Sequence, residues 1–585
     1  MPKIAKALLT CGIFSLLFLG YFHEITAMTQ DLGRHILTGR LILETKTVPQ
    51  INLYSYTFPS FPFINHHWLS EIVFFLLQTA AGFSGLLFIT TFVVVVAFFL
   101  QFIFLYKKVS FPILILSSIL YTTVLFERTD LRPEIFSFFF LSCFIVILFI
   151  NRQKPTKLVF ILPLLSLLWV NMHIYFFVGI VVFFLFLVDH ILLKRTEIRS
   201  AIRQKTFPKE TFFLLLSLAL SLAAVFINPN GISGALYPLS VFNNYGYSIE
   251  ENQTVFFLWT LFRKETIFSF LAVTSALFFF LLLTIKQSTM IMWSLSIVFT
   301  LAACIAIRNF PLFVFATFIP FTFHADLFFK ALRKNLKNKT PFFTNHRVLF
   351  LWLIFFLLFF LLIFRIYLVV NKYQISTKEA IGANRGVDFF LKHQLKGPIF
   401  NNFDIGSYLI YRLYPGERVF VDGRPEAYPA SFFKNTYIPM QENPSMFEKQ
   451  DARYRFNTIF FSHTDQTPWA QTFISFIVKN PQWKIIYLDD FVIILVKKTP
   501  KNAFLKEINL AEFPLPSTLD TLQLFRFANF FSLIQLSQKE MEAYQALLGK
   551  NPQSCAVLYR YSNLLIKEQN PAGSIYGKQF DSFCQ

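Results

Sequence analysis

Asp31 and His35 stand four residues apart in the run Asp31-Leu-Gly-Arg34-His35, a spacing that puts both on one face of a helix. A carboxylate beside an imidazole can remove a proton from an attacking hydroxyl. Arg34 and Thr38 share that face, and Leu32, Ile36 and Leu43 share the other. The same pattern fits an interfacial helix lying flat on a membrane, apolar face down, with a polar face that is merely solvated. A second cluster is Asn65-His66-His67-Trp68-Leu-Ser70-Glu71. His66, His67 and Glu71 could ligate a metal, or could cap a helix and bind a phosphate, while Trp68 suits an interface anchor. A third is Glu127-Arg128-Thr-Asp130-Leu-Arg132-Pro133-Glu134. Arg128 and Arg132 fit either a bidentate grip on phosphate or anchoring to lipid headgroups. Trp169-Val-Asn171-Met-His173 and Ile307-Arg308-Asn309 add polar groups, and the long segment from Asn228 to Glu250-Glu251 is able to fold over them.

The elements that must position these residues are set by hydropathy. The chain has 585 residues, of which 55% are hydrophobic and 15% charged, against roughly 25% charged in average soluble domains. Mean hydropathy is +0.53. A hydrocarbon core about 30 Å thick takes roughly 20 apolar residues as helix. Eleven runs qualify: 5–22, 84–106, 110–126, 133–150, 157–172, 174–193, 211–227, 266–286, 289–307, 309–326 and 348–370. The stretch 68–82 is short for a span and is placed as a helix at the outer surface or dipping partway in. Lys3 and Lys6 before the first run read as an uncleaved signal anchor.

The net charge of +20 would suggest nucleic acid in a soluble protein. Here the basic residues sit in short loops between apolar runs, a pattern that sets membrane orientation, and no nucleic-acid partner is expected. Lys107 and Lys108 mark one such loop, and Arg152, Lys154 and Lys157 another. Further loops carry Lys194, Arg195, Arg199, Arg203, Lys205 and Lys209, then Lys330, Arg333, Lys334, Lys337, Lys339 and Arg347. With eleven spans and a cytoplasmic N-terminus all of these fall inside. Residues 23–83, 127–132, 228–265 and everything after 371 fall outside, and every candidate site residue lies in these regions or at the outer end of a span.

After residue 371 the pattern shortens. Pro398–Asn401, Arg418–Asp422, Thr458–Ser462, Trp483–Leu488 and Phe491–Val496 read as strands. Val387–His393, Ile405–Leu413 and Ala470–Val478 read as helices. The expected organisation is a membrane domain over 1–370, a small α/β domain over 371–500 and a helical tail over 501–585. Met541–Lys567 fits one helical hairpin of the TPR kind. Asp422 and Arg424 read as a loop-holding ion pair. Cys11, Cys143 and Cys304 lie in apolar runs. Cys555 and Cys584 could pair if the tail is extracytoplasmic.

As a set, the motifs resemble a family of large bacterial membrane proteins classed with glycosyltransferases of the GT-C fold. The resemblance is carried by Asp31-Leu-Gly-Arg-His35, Gly39, Pro49, Tyr54-Ser-Tyr-Thr57 and His67-Trp-Leu-Ser-Glu71 in the first outer loop. Leu131-Arg-Pro-Glu134, Trp169-Val-Asn171, Asn228-Pro-Asn-Gly231 and Arg308-Asn-Phe-Pro311 follow, then Asn401–Tyr408 and Val419–Arg424. It covers about residues 5 to 500. It implies an α-helical polytopic protein of about eleven spanning helices with surface helices in the first outer loop, in a bacterial plasma membrane, carrying an extracytoplasmic α/β domain. It also implies a polyprenyl-phosphate-linked sugar donor, a glycan, lipid or protein acceptor, and Asp31 as general base with His35 positioning or tuning it. Arg128, Arg132 and Arg308 would take the donor phosphate. Arg34, His66, His67, Glu71, Glu134, Asn171 and His173 would line the site. The family allows a divalent metal, but no second acid follows Asp31 at the spacing of a paired-acid motif. The rival readings are a transporter or flippase of a lipid-linked saccharide and a non-catalytic envelope assembly protein.

Overall fold

In the computed structural model, helices occupy all eleven apolar runs. Residues 1–584 are described except 26–30, 205, 207, 242–244, 338–346 and 374–382, so Lys205 and Lys339 lie outside the described residues. Among the described residues, seven helices are long and apolar enough to cross a membrane: Lys3–Tyr21, Trp68–Tyr106, Glu134–Gln153, Phe176–Leu193, Glu265–Leu283, Ile307–Lys334 and Trp352–Lys372. The chain is an integral membrane protein. Phe111–Leu125, Lys209–Ala224 and Met290–Ile305 are 15 to 16 residues long, and at about 1.5 Å per residue fall short of the hydrocarbon thickness. Lys157–Met172 divides into a 3-10 turn and an α-helix.

The first helix, α1 (Lys3–Tyr21), leads to α2 (Gly33–Thr45) and the 39-residue α3 (Trp68–Tyr106). The stretch 68–81 is helical and is joined to the apolar run beyond it through a bend at Gly82. There φ is 64° and ψ is −171°, a region essentially restricted to glycine.

The sequence pattern predicts α2 flat on a membrane with its polar face up, and the structure departs from this. Both faces are buried: Arg34, His35 and Thr38 on one side, Leu32 and Ile36 on the other. Leu32 and Ile36 pack in one apolar cluster with Phe74, Tyr408 and Leu409, so α2 lies between α3 and the C-terminal region. Local amphipathicity cannot reveal a covering element that arrives more than 350 residues later.

Four strands form one sheet: β1 (Ile399–Asn401), β2 (Thr458–Ser462), β3 (Trp483–Leu488) and β4 (Val492–Lys497), in the order β1-β2-β4-β3. β1 runs parallel to β2, and the other pairs are antiparallel. Side chains alternate between faces. Ile459, Phe461, Ile493 and Leu495 face the helical tail, in a cluster with Phe527 and Phe531. Phe460, Val492, Ile494 and Val496 face the side that carries Tyr54, Val387 and Ile405.

Arg418–Asp422, expected as a strand, is not part of this sheet. The amide of Val419 donates to the Tyr54 carbonyl (3.1 Å), and the Tyr56 amide donates to the Val419 carbonyl (3.2 Å). Asn401 Nδ2 donates to the Val421 carbonyl (2.8 Å), and Asn401 Oδ1 accepts from the Phe420 amide (2.9 Å). The first loop and one asparagine thus satisfy the backbone groups that a neighbouring strand would have taken. Arg424 grips Asp422 in a bidentate pair (2.6 and 2.8 Å) and donates to Asn52 Oδ1 (2.8 Å). The pair fastens the first loop to the sheet domain.

Candidate functional site at one end of the bundle

The basic loops gather at one end of the molecule. Lys108 Nζ donates to Gln153 (2.7 Å), Arg152 pairs with Asp189 (2.7 Å) and Lys194 lies 3.7 Å from Glu210. The candidate site residues gather at the other end, beneath the sheet domain.

Three elements bring the first group together. Gly39 lets α2 touch α3: a Cβ there would lie 2.0 Å from the Glu71 carbonyl oxygen. Glu71 Oε1 accepts from His35 Nδ1 at 2.8 Å, with Arg34 Nη1 3.5 Å away, and Oε2 accepts from Asn65 Nδ2 at 2.7 Å. Arg34 Nη2 lies 3.3 Å from Asp31 Oδ1 and 3.3 Å from His35 Nε2. Arginine only donates, so His35 Nε2 accepts and Nδ1 carries the proton delivered towards Glu71. Asp31 and His35 are therefore linked through Arg34. Burial, then the nearby Arg34 charge, holds the His35 imidazole well below its ordinary range, which keeps it neutral.

The second group holds the arginines. Arg132 Nη1 is 3.6 Å from Asp31 Oδ2, and its Nη2 is 3.0 Å from Glu251 Oε1. Arg128 Nη1 reaches the same Glu251 oxygen at 2.5 Å, while its Nε donates to Glu134 Oε1 at 2.8 Å. Arg308 donates to Tyr175 Oη and to Asn252 Oδ1, each at 3.0 Å. A continuous network thus runs from Asp31 through Arg132, Glu251 and Arg128 to Glu134. The Asp31 side chain is 23% exposed, against 5% for Arg34. Two N–H groups of this region, Arg34 Nε and Arg128 Nη2, are buried without a partner among the described residues.

The histidines sit beside this network. Ring centroids of His35 and His67 are 5.2 Å apart, those of His67 and His173 5.2 Å, and those of His66 and His67 4.0 Å. The Tyr175 amide points at His173 Nδ1 (3.3 Å), which is also 2.9 Å from Ser137 Oγ, so Nε2 carries the proton. Asn171 is fully engaged: Oδ1 accepts from Trp68 Nε1 (2.8 Å) and Nδ2 donates to two carbonyls. Glu71 is occupied by His35, Arg34 and Asn65. Among the described residues no three of His, Cys, Asp or Glu are set to hold a metal ion, so the site as arranged does not fit a metal built on His66, His67 and Glu71.

Glu251, Asn252 and Tyr175 were assigned no role from the sequence, although each bonds an arginine of the site. The available signal was charge. A cluster of arginines at a membrane boundary needs counterions, and Glu250-Glu251 is the acidic pair of a long loop able to reach it.

The fold has a counterpart in a solved structure. An archaeal oligosaccharyltransferase, AglB from Archaeoglobus fulgidus in complex with an inhibitory peptide and a dolichol-phosphate, superposes with a TM-score of 0.50 at 10% sequence identity, over 88% of this chain and 76% of that one. The fold is GT-C-like. A second structure of the Archaeoglobus fulgidus enzyme, with Zn and sulfate, gives a TM-score of 0.49 at 11% identity over 93% of this chain and 85% of that one. No protein-family model and no curated protein matches the sequence. At such identity the likeness establishes the GT-C-like architecture and leaves the chemistry to the residues.

Proposed function

We propose that this protein is a membrane glycosyltransferase that moves a sugar from a polyprenyl-phosphate donor to an acceptor at the outer face of the membrane. The observation that carries the reading is the contact between Asp31 and an arginine cluster at the end of the bundle opposite the basic loops. The archaeal enzyme of the same fold binds a dolichol-phosphate, a donor carrier of the same chemical class.

In this reading Asp31 accepts the proton of the acceptor hydroxyl as its oxygen attacks the anomeric carbon. The bond from that carbon to the phosphate oxygen breaks, and the phosphate leaves with the electron pair. Arg128, Arg132 and Arg308 meet the developing charge as fixed cations in a largely dry site. Attack from the face opposite the phosphate inverts the anomeric centre, by the geometric logic of inverting glycosidases. Arg34 holds Asp31, while His35 and Glu71 hold Arg34. His66, His67, Glu134, Asn171 and His173 form the surrounding wall.

Orientation belongs to the same reading. Basic loops mark the cytoplasmic end, and the Cys555–Cys584 disulfide suits an oxidising, extracytoplasmic tail. A strain lacking the protein should accumulate the unused lipid-linked sugar, identified by mass analysis, and the wild-type gene should clear it. Asp31→Asn fails to clear it, with transfer reduced about 100-fold or more, while inserting and melting like wild type. Retained transfer removes the proposed base, and translocation of the lipid-linked sugar without transfer favours a flippase.

A further inference from the structure

We infer that the Glu250–Asn252 turn is a built-in placeholder for the donor phosphate: Glu251 and Asn252 occupy the three arginines in the resting protein and leave when an anionic lipid headgroup enters. The inference rests on the proposed phosphate role of those arginines and adds how that site is kept when empty.

One short turn touches all three cations. Glu251 Oε1 lies between Arg128 Nη1 (2.5 Å) and Arg132 Nη2 (3.0 Å), and Oε2 accepts from Arg132 Nη1 (3.3 Å). The next residue, Asn252, accepts from Arg308 Nη1 (3.0 Å). A carboxylate held by two guanidinium groups reproduces the way arginines hold a phosphate. The sugar-bearing donor is a phosphodiester with two free oxygens and one charge, the same count as the Glu251 carboxylate, and the polyprenyl monophosphate released by transfer brings three oxygens and up to two charges. Arg128 Nη2, buried and without a partner among the described residues, is a donor that a further oxygen would satisfy.

The two acids on Arg128 differ in how they are held. Glu134 opens the first turn of a spanning helix, and its side chain is 4% exposed. Glu251 is 24% exposed and sits on a three-residue turn. Apart from the arginines, that turn is held through Glu250 to Lys264 at the rim (2.5 Å, 52% and 31% exposed) and through the Gln253 carbonyl, which accepts from the amide of buried Ile307 (3.3 Å). Glu134 is thus a fixed counterion, and Glu251 the one that can be exchanged. Without Glu251 the three arginines would repel one another with only Glu134 and Asp31 beside them, so a placeholder also keeps the empty site folded.

The test uses the full chain in lipid nanodiscs, with a long-chain polyprenyl monophosphate as probe and binding read by native mass spectrometry. Glu251→Gln keeps the shape and removes the competing charge. It should bind the probe at least about tenfold more tightly, a modest share of the coupling measured for close charge pairs. Arg132→Gln should bind it at least about tenfold more weakly. On adding the probe to wild-type protein, amide exchange at residues 249–253 should rise as the turn is released. If Glu251→Gln binds no better while Arg132→Gln binds worse, the placeholder is wrong and the phosphate site stands. If neither Arg128→Gln nor Arg132→Gln affects binding, the phosphate site itself is wrong and the placeholder falls with it. Probe binding with unchanged exchange at 249–253 overturns displacement directly, even if a variant misfolds.

Discussion

Four histidines crowd the inner wall of the site, and their burial has a consequence for pH. His35, His67 and His173 are held well below their ordinary range by burial first and neighbouring charges second, and His66 is lowered to about 4. Around His66, Glu71 favours protonation, while His35 and Arg308 oppose it. All four are neutral when folded. Between pH 6.5 and about 4 the unfolded chain therefore binds protons at these four rings that the folded chain does not, and the four rings take stability away as pH falls through that window. A melting temperature in detergent that drops steadily from pH 7.5 to 5, with a shallower slope in His66→Gln, is the expected result; a flat or rising profile contradicts it. At this scale the sequence showed residues that the fold brings together, but not the bonds between them. Asp31 and His35 were legible as a pair by their spacing. Arg34 standing between them is local to the start of that helix, but Glu71 accepting the hydrogen bond from His35 depends on a helix contact that no spacing encodes.

That contact belongs to the scale of elements. α2 carries Arg34 and His35 and is entered from Asp31, while α3 carries Glu71; they meet at Gly39. A Cβ at residue 39 would lie 2.0 Å from Glu71 O and 2.4 Å from Glu71 C, and both are backbone atoms with no rotamer to yield. Gly39→Ala must push the helices apart, at a cost of about 1–3 kcal/mol by comparison with overpacked cores. The same movement lengthens the His35–Glu71 bond. Both a lower melting temperature and weaker sugar transfer are expected, measured on the same preparation; full activity with unchanged melting would show that the two helices are not in register as described. Helix positions were legible because hydrophobic runs of known length leave few choices. The misreadings share one cause. α2 looked like a surface helix, and Arg418–Asp422 looked like a sheet strand, because each is completed by a partner distant in sequence. The loop that carries Glu251 is tied down in the same manner, by Tyr247 stacking on Phe403 of the sheet domain at 4.3 Å.

On the scale of the whole molecule, two independent features bear on which way the protein faces. One is the gathering of Lys108, Arg152 and Lys194 at the end opposite Asp31, which the charge bias of membrane proteins reads as cytoplasmic. The other is the tail, where helices Cys555–Lys567 and Ala572–Cys584 run as an antiparallel hairpin whose open ends meet. The two cysteines there are 5.7 Å apart at Cα and bonded, within the range a disulfide spans. Closing a loop of 29 residues' separation contributes about 3–4 kcal/mol by the chain-entropy model, but only where thiols are oxidised. The proposed outward tail satisfies both features, and an inward tail satisfies neither. In right-side-out vesicles, with Cys11, Cys143 and Cys304 replaced by Ser, a membrane-impermeant maleimide should label nothing until an external reductant is added, and then two sites. Arg199→Cys in the same background should stay unlabelled until the membrane is opened. Labelling of residue 199 from outside, or a tail reached only after permeabilisation, would reverse the orientation and put Asp31 on the wrong side for an externally delivered acceptor.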